Sequence, residues 1–226
     1  MKNRRPGLQS KWSYVVNSLQ EIIPSYELAS SRISLFADRR MRAEAISFAV
    51  ADGSSVLDLG AGPGTMSRLV ARNRGEPVLL DVSRSMLKAS SFRNKVQAVF
   101  EFLPFREGVF DGAVSGFALR DAHDLKTAMA QVARVLKRGG RLAFCDLGKP
   151  DSAIGTIAVG YYMRVVPNIV GLVTIGRSGL RYGSLFDTYV LALHNSELVS
   201  LLSRHFTGVA IHEMQMGSAI VAKCVR

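Results

Sequence analysis

Residues 56–65 read Val56-Leu57-Asp58-Leu59-Gly60-Ala61-Gly62-Pro63-Gly64-Thr65, and this stretch decides the fold. Val56, Leu57 and Leu59 form a short apolar run, the pattern of a strand buried on both faces. Gly60, Gly62 and Gly64 follow at alternating positions, and Ser67 to Ala71 reads as the start of a helix. Glycines at the carboxyl end of a parallel strand let the chain turn sharply and let a ligand approach where a Cβ would clash. The stretch predicts the nucleotide crevice of a doubly wound α/β sheet.

The spacing selects the kind of nucleotide. A dinucleotide site wants Gly-x-Gly-x-x-Gly and a helix N-terminus free to take a pyrophosphate. Here the pattern is Gly-x-Gly-x-Gly, Pro63 lacks a backbone N–H, and Asp58 lies inside the strand. A carboxylate there repels phosphate and suits the ammonium of an amino-acid moiety. About twenty residues on, Pro77 to Val82 reads as a second strand carrying Asp81, placed to accept both hydroxyls of a ribose. Adenosine plus an amino acid without phosphate means S-adenosylmethionine. Asp58, Leu59, Gly60, Ala61, Gly62, Pro63 and Gly64 are expected to line its site, with Asp81, Val82, Ser83 and Met86 from the second strand and its following helix. The competing reading is a structural glycine turn in another α/β protein.

Composition bounds the partners. The 226 residues suit a single domain with ample core, and 48% hydrophobic and 21% charged residues are ordinary for a globular chain. The net charge of +11 and the pI near 10.1 are not ordinary. They favour nucleic acid or an acidic membrane surface as partner, or mark a solvated basic surface with no partner. Cys145 and Cys224 fall in expected buried strands and read as small apolar residues in a reducing, cytoplasmic compartment. The basic Met1 to Pro6 stretch is not followed by the apolar region of a secretory signal. The longest apolar stretch, Ile154 to Ile175, contains Arg164, Pro167, Asn168 and several glycines. It reads as amphipathic or core-forming structure that rests on a membrane without crossing it.

The chain then divides into a helical cap over the cleft (1–50), a cofactor-binding core (51–147), a substrate-side insertion (148–195) and a final helix and hairpin (196–226). In the cap, Trp12, Tyr14, Val15 and Leu19 share one helical face, and Met41 to Val50 is a helix entering the core. Ser83 is expected to cap a helix. Val96 to Phe100 and Phe110 to Ser115 read as strands three and four. Asp124 to Lys137 is an amphipathic helix stopped by Gly139-Gly140, and Arg141 to Leu147 is strand five. Ser196 to Arg204 is a helix, and Val209 to Met214 with Ala219 to Val225 form an antiparallel hairpin. His194, His205 and His212 show no metal spacing, and no metal site is expected.

These residues together resemble the ubiquinone/menaquinone-biosynthesis C-methyltransferases, within the class I S-adenosylmethionine-dependent superfamily. The matches include 56–65, Leu80 to Leu87, Leu103-Pro104-Phe105 and Phe110-Asp111. They continue with Phe117-Ala118-Leu119-Arg120-Asp121, Val135 to Leu142, Lys149-Pro150 and the Tyr161 to Gly171 stretch, over roughly residues 24–224. Three departures stand out. Val99-Phe100 replaces a polar residue and Ala at the adenine edge, Gly116 replaces a serine, and His205-Phe206-Thr207 replaces Ala-Gly-Phe.

The resemblance implies a Rossmann-like seven-stranded sheet, mostly parallel with an antiparallel last strand and helices on both faces. It implies methylation of a ring carbon beside a hydroxyl on a lipophilic aromatic acceptor, a prenylated quinol precursor. Arg120 would stabilise the phenolate, a water or His123 would take the proton, and Asp121 completes the set of catalytic candidates. An ion pair of Arg120 with Asp121 or Asp124 is the purely structural alternative. Tyr26, Phe100, Glu101 and Gly116 complete the expected cofactor wall. Tyr26, Tyr161, Tyr162 and Tyr182 are candidates for an acceptor tunnel, and Gly171 to Gly183, with Arg177 and Arg181, for a lid. A peripheral place on the inner membrane face and a homodimer fit this reading. An RNA methyltransferase of the same fold and a silent binding subunit are the alternatives.

Overall fold

The computed structural model describes Arg32, residues 37–176 and residues 184–226. The expected cap helices before Arg32, Tyr26, Tyr182, Arg177 and Arg181 lie outside the described residues.

The first strand, β1 (Ser55–Leu59), is buried on both faces, with apolar side chains entering the core on each. Leu57 and Leu59 enter one core with Leu80, Leu142 and Ile220; Val56 enters the other with Val114, Ala143 and Val221. Each fully buried leucine contributes about 1.5–3 kcal/mol relative to exposure. Helix α1 (Asp38–Ala49) and helix α2 (Thr65–Arg72) cover the second core through Met41, Ala45, Met66 and Val70. Helix α4 (Leu125–Val135) and helix α7 (Asn195–Leu202) cover the first through Met129, Val132, Leu198 and Leu202.

The remaining strands are β2 (Glu76–Asp81), β3 (Lys95–Gln97), β4 (Phe110–Gly116), β5 (Leu136–Leu147), β6 (Thr207–Met214) and β7 (Ala219–Val225). The seven lie in the order β3-β2-β1-β4-β5-β7-β6. Pairing is parallel from β3 through β5, and β7 runs antiparallel to both β5 and β6. The expected sheet, with its one antiparallel last strand, is the observed one. The carboxyl ends of β1, β2, β4 and β5 therefore open on one edge, where a doubly wound sheet holds ligand.

Short helix α3 (Arg84–Ala89) is capped by Ser83, whose hydroxyl accepts from Met86 N at 3.3 Å, as expected. The boundaries of β3 and α4 differ from the sequence reading. Strand β3 stops at Gln97 because the chain turns at once, Phe102 N donating to Val99 O at 3.2 Å. Helix α4 stops at Val135, not at Gly139-Gly140. Leu136 turns extended (φ −75°, ψ 145°) and pairs with Phe110, which buries its side chain completely. Gly139, at φ +75°, instead lies within β5 next to the register shift between Phe110 and Gly112. Cys145 and Cys224 are free and buried, and burial pushes each thiol up to about 12.

The insertion is more regular than its composition suggests. Helix α5 (Ala153–Ile175) runs unbroken through Pro167, and helix α6 (Ser184–Leu191) packs against it. Val159 and Met163 bury with Tyr189, whose hydroxyl donates to Thr156 O at 3.0 Å. A helix of this length and composition could span a bilayer, yet its side at Gly155, Val159, Met163, Pro167 and Gly171 is buried. Its other side is exposed and apolar, so it is not amphipathic in the expected sense: Ile154, Ile157, Tyr161, Ile169, Leu172 and Val173 all face outward. Gly171 to Ile175, expected in the lid, is helical, and residues 177–183 lie outside the described ones.

Candidate functional site

The glycine loop is held to the tip of β2. Gly60 N and Ala61 N both donate to Leu80 O at 2.8 and 3.0 Å, and Gly62 N donates to Asp81 Oδ2 at 2.8 Å. Gly60 needs its missing side chain: at φ +68° a Cβ would collide with Ala118 Cβ and stand 3.1 Å from the Phe100 ring. Phe100 thus closes over the loop from the turn after β3, beside the expected adenine edge. Glu101 is engaged elsewhere, its carboxylate accepting from Asp124 N at 2.9 Å.

Asp81 Oδ1 accepts from Ser83 N at 2.8 Å, so each carboxylate oxygen holds one backbone donor. A carboxylate offers about four lone-pair sites, and two remain for a pair of ribose hydroxyls. Burial raises the Asp81 carboxyl above its ordinary range against the pull of those amides. Met86 is buried beneath the loop, and Val82 O accepts from Gln97 Nε2 at 3.0 Å.

Asp58 is fully buried. Its Oδ2 accepts from Ser67 Oγ of α2 at 2.6 Å, while Oδ1 has no hydrogen-bond partner among the described residues. Burial pushes this carboxyl up to about 6 against the hydroxyl of Ser67 and the cation of Arg42. An orphaned buried carboxylate oxygen beside a glycine loop, with a ribose acceptor one strand away, fits the amino-acid and sugar ends of S-adenosylmethionine. A phosphate would meet two carboxylates here.

The second half of the site follows β4. Phe117, at φ +64°, is a bulky residue in the left-handed region, a conformation that costs about 1–3 kcal/mol and persists where surroundings enforce it. Its N–H donates to Cys145 O at 2.8 Å and its carbonyl accepts from Arg120 Nη1 at 2.7 Å. The same Nη1 lies 2.6 Å from Asp146 Oδ1, and Arg120 N donates to Asp146 Oδ2 at 3.1 Å. Arg120 is therefore paired with Asp146 of β5, a partner the sequence reading missed. Of the two partners expected, Asp121 stands 3.8 Å from Arg120 Nε. Asp124 is not one, because it caps α4 by accepting from Lys126 N and Thr127 N. Burial raises the Asp121 carboxyl, with the Arg120 cation opposing and the Asp146 charge adding. His123 is exposed on the connection to α4.

Two functional-site neighbours were not anticipated. Arg42 of α1 is only 7% exposed, and its guanidinium lies 4.9 Å from the centre of the Phe117 ring. It adjoins Gly116, where any Cβ would strike Arg42 Nη1 and stand 2.9 Å from Met66 Cγ. Asp146 carried a readable signal, an acid within an apolar strand like Asp58. Arg42 carried a fainter one, a cation beside the buried stripe Met41, Ala45, Ile46, Ala49. The acceptor tunnel is corrected in one place: Tyr161 is 71% exposed on the outer side of α5, whereas Tyr162 packs on the Val159–Met163–Tyr189 cluster. His194 Nδ1 lies 2.7 Å from Pro150 O and His212 pairs with Glu44 at 2.9 Å.

A family model described as a methyltransferase domain matches residues 57–144. A demethylmenaquinone methyltransferase of Mycobacterium marinum is 33% identical over 164 residues, 71% of this chain and 71% of its own. A ubiquinone/menaquinone biosynthesis C-methyltransferase of Haemophilus ducreyi is 31% identical over 229 residues, 95% of this chain and 87% of its own. Among solved structures, a SAM-dependent methyltransferase from Thermotoga maritima has a TM-score of 0.65 at 16% identity, covering 92% of this chain and 98% of its own. That last likeness is one of fold.

Proposed function

The chain belongs to the ubiquinone/menaquinone-biosynthesis C-methyltransferase family, S-adenosylmethionine-dependent enzymes, and on that premise we propose that it methylates a ring carbon of a prenylated quinol. When bound, S-adenosylmethionine supplies an electrophilic methyl on a sulfonium, open to in-line displacement. The protein's part is to hold donor and acceptor in line and exclude water.

Asp81 takes the ribose hydroxyls and Asp58 the ammonium. Leu59 to Gly64 and Gly116 form the floor, Val82, Ser83 and Met86 the side toward β2, and Phe100 the adenine face, with Glu101 bracing α4 behind it. On the acceptor side, a quinol hydroxyl gives its proton to Asp121, whose raised carboxyl is suited to accept one. The negative charge this leaves on the ring oxygen, delocalised to the ortho carbon, is stabilised by Arg120; once that carbon has taken the methyl, its hydrogen leaves as a proton and the ring regains its aromatic hydroxyl. Asp146 holds Arg120 in place. Exposed His123 relays the proton outward.

The observation that carries this reading is the Arg120–Asp121 pair, fixed by Asp146 at the carboxyl ends of β4 and β5, beside the glycine loop. Asp121→Asn tests it: kcat is expected to fall about 10²–10⁴-fold, with affinity for S-adenosylhomocysteine unchanged. An Asp121→Asn enzyme of full activity removes this residue from the mechanism.

A lipophilic substrate favours work at the cytoplasmic face of a membrane. The exposed apolar side of α5, interrupted by Arg164 alone among charged residues, supports this on a chain of net charge +11. Sedimentation with phosphatidylglycerol vesicles tests it: wild type is expected to pellet, and Ile157→Glu to stay in solution. Self-association through α5 without vesicle binding would replace the membrane with a homodimer.

A further inference from the structure

Arg42 is a buried cation whose position the mechanism above does not use. It lies on α1, 7% exposed, and forms no hydrogen bond or salt bridge among the described residues. One of its faces rests on Phe117, 4.9 Å from the ring centre. Its Nη1 occupies the space over Gly116 that a Cβ would take. A buried charge without an anionic partner is unfavourable, and so is a buried carboxylate oxygen without a donor. This site contains both, since Asp58 Oδ1 is also unpartnered among the described residues.

The two groups flank one short stretch of backbone. Leu59 pairs with Ser115, so the glycine loop leaves β1 beside the point where Gly116 ends β4. Asp58 and Val56 point toward α1 and α2, the side from which Arg42 enters. The two are close enough for Arg42 to pull on the Asp58 carboxyl, yet they are not within ion-pair distance. A ligand carrying a cation and an anion on the same carbon would satisfy both.

We propose that Arg42 binds the carboxylate of the cofactor's amino-acid moiety, while Asp58 binds its ammonium, so that the two form a clamp for the zwitterion. The inference rests on the S-adenosylmethionine reading of this site and assigns the anion subsite that reading left empty. It also accounts for Gly116: a Cβ at this position would push the Arg42 guanidinium out of the space it occupies. Phe117, locked at positive φ, provides the flat surface against which a planar guanidinium is oriented.

Three ligands separate the clamp from a merely structural role. S-adenosylhomocysteine carries both charges of the amino acid, decarboxylated S-adenosylmethionine keeps the ammonium alone, and methylthioadenosine has neither. By calorimetry, Arg42→Met is expected to weaken S-adenosylhomocysteine about 30-fold or more and to leave the other two within about threefold. Arg42→Lys, which keeps the charge and loses the planar fork, should fall between. If Arg42→Met does not fold, the same ligand pattern in Arg42→Lys decides the matter. Gly116→Ser, which displaces the guanidinium without removing it, should show the same selectivity. Equal loss for all three ligands, or no loss for S-adenosylhomocysteine, overturns the clamp while leaving the cofactor site standing. A wild-type protein that binds methylthioadenosine and decarboxylated S-adenosylmethionine as tightly as S-adenosylhomocysteine also overturns it. Failure to bind any of the three sinks the cofactor reading itself.

Discussion

Replacing Asp146 by alanine is expected to cost stability and activity together, through one stranded charge. Its Oδ1 lies 2.6 Å from Arg120 Nη1 and accepts from Leu147 N at 2.8 Å, and Oδ2 accepts from Arg120 N at 3.1 Å. The two side chains are 5% and 12% exposed, so water screens the pair little. Removing one partner of a buried pair costs about 3–5 kcal/mol, because the other charge stays buried uncompensated. For a chain of 226 residues, about 2–4 °C of melting temperature follows each kcal/mol. Asp146→Ala should therefore melt about 6–20 °C lower by circular dichroism. Since Arg120 loses its anchor, kcat should fall well beyond the fraction unfolded. The double variant Asp146→Ala/Arg120→Met removes both charges and should regain much of the melting temperature, but none of the activity. A shift below about 3 °C with normal turnover would refute the claim that this pair organises the acceptor side. A double variant no more stable than the single would refute the stranded-charge explanation.

Two further outcomes concern other carboxylates, Asp58 and Asp124. The Asp58 carboxyl, pushed up to about 6 by burial, binds its proton more tightly folded than unfolded. Its contribution to the ligand-free protein is thus present at low pH and lost as pH rises through about 6. A bound ammonium favours the carboxylate, so S-adenosylhomocysteine affinity should climb up to about tenfold per pH unit below 6 and level off above, by calorimetry from about pH 5 to 8. Asp58→Asn should bind weakly and flatly across that range, and a flat wild-type profile contradicts the assignment. Asp124→Ala removes three hydrogen bonds to the first turn of α4 and should cost about 1 kcal/mol, read as a fall of about 2–4 °C with kcat nearly intact.

Much of this arrangement was legible because it is local. The run Val56 to Thr65 specifies strand, turn and helix within ten residues, and Asp81 follows from strand spacing alone. The antiparallel β7 was readable from the short turn between Met214 and Ala219. What escaped were pairings across long separations. Arg120 meets Asp146 through adjacent parallel strands, and Arg42 meets Gly116 because α1 packs over β4 and β5. No periodicity reports either. The unbroken length of helix α5 was not legible, because proline, asparagine and glycines argue locally against a long helix, whereas packing on Tyr189 and α6 supports one. The outward side of Tyr161 was equally hidden, since every tyrosine of an apolar stretch looks alike in sequence. Gly139-Gly140 looked like a helix stop, yet burying Leu136 in the sheet fixed the boundary earlier.

The most direct test of the central claim is methyl transfer itself, using carbon-13 methyl-labelled S-adenosylmethionine with a reduced, short-chain demethylmenaquinol. The account predicts a single labelled product whose carbon-13 resonance is that of a methyl on the aromatic ring carbon beside a hydroxyl. A methoxy resonance, or label that enters added RNA while the quinol is untouched, would contradict it.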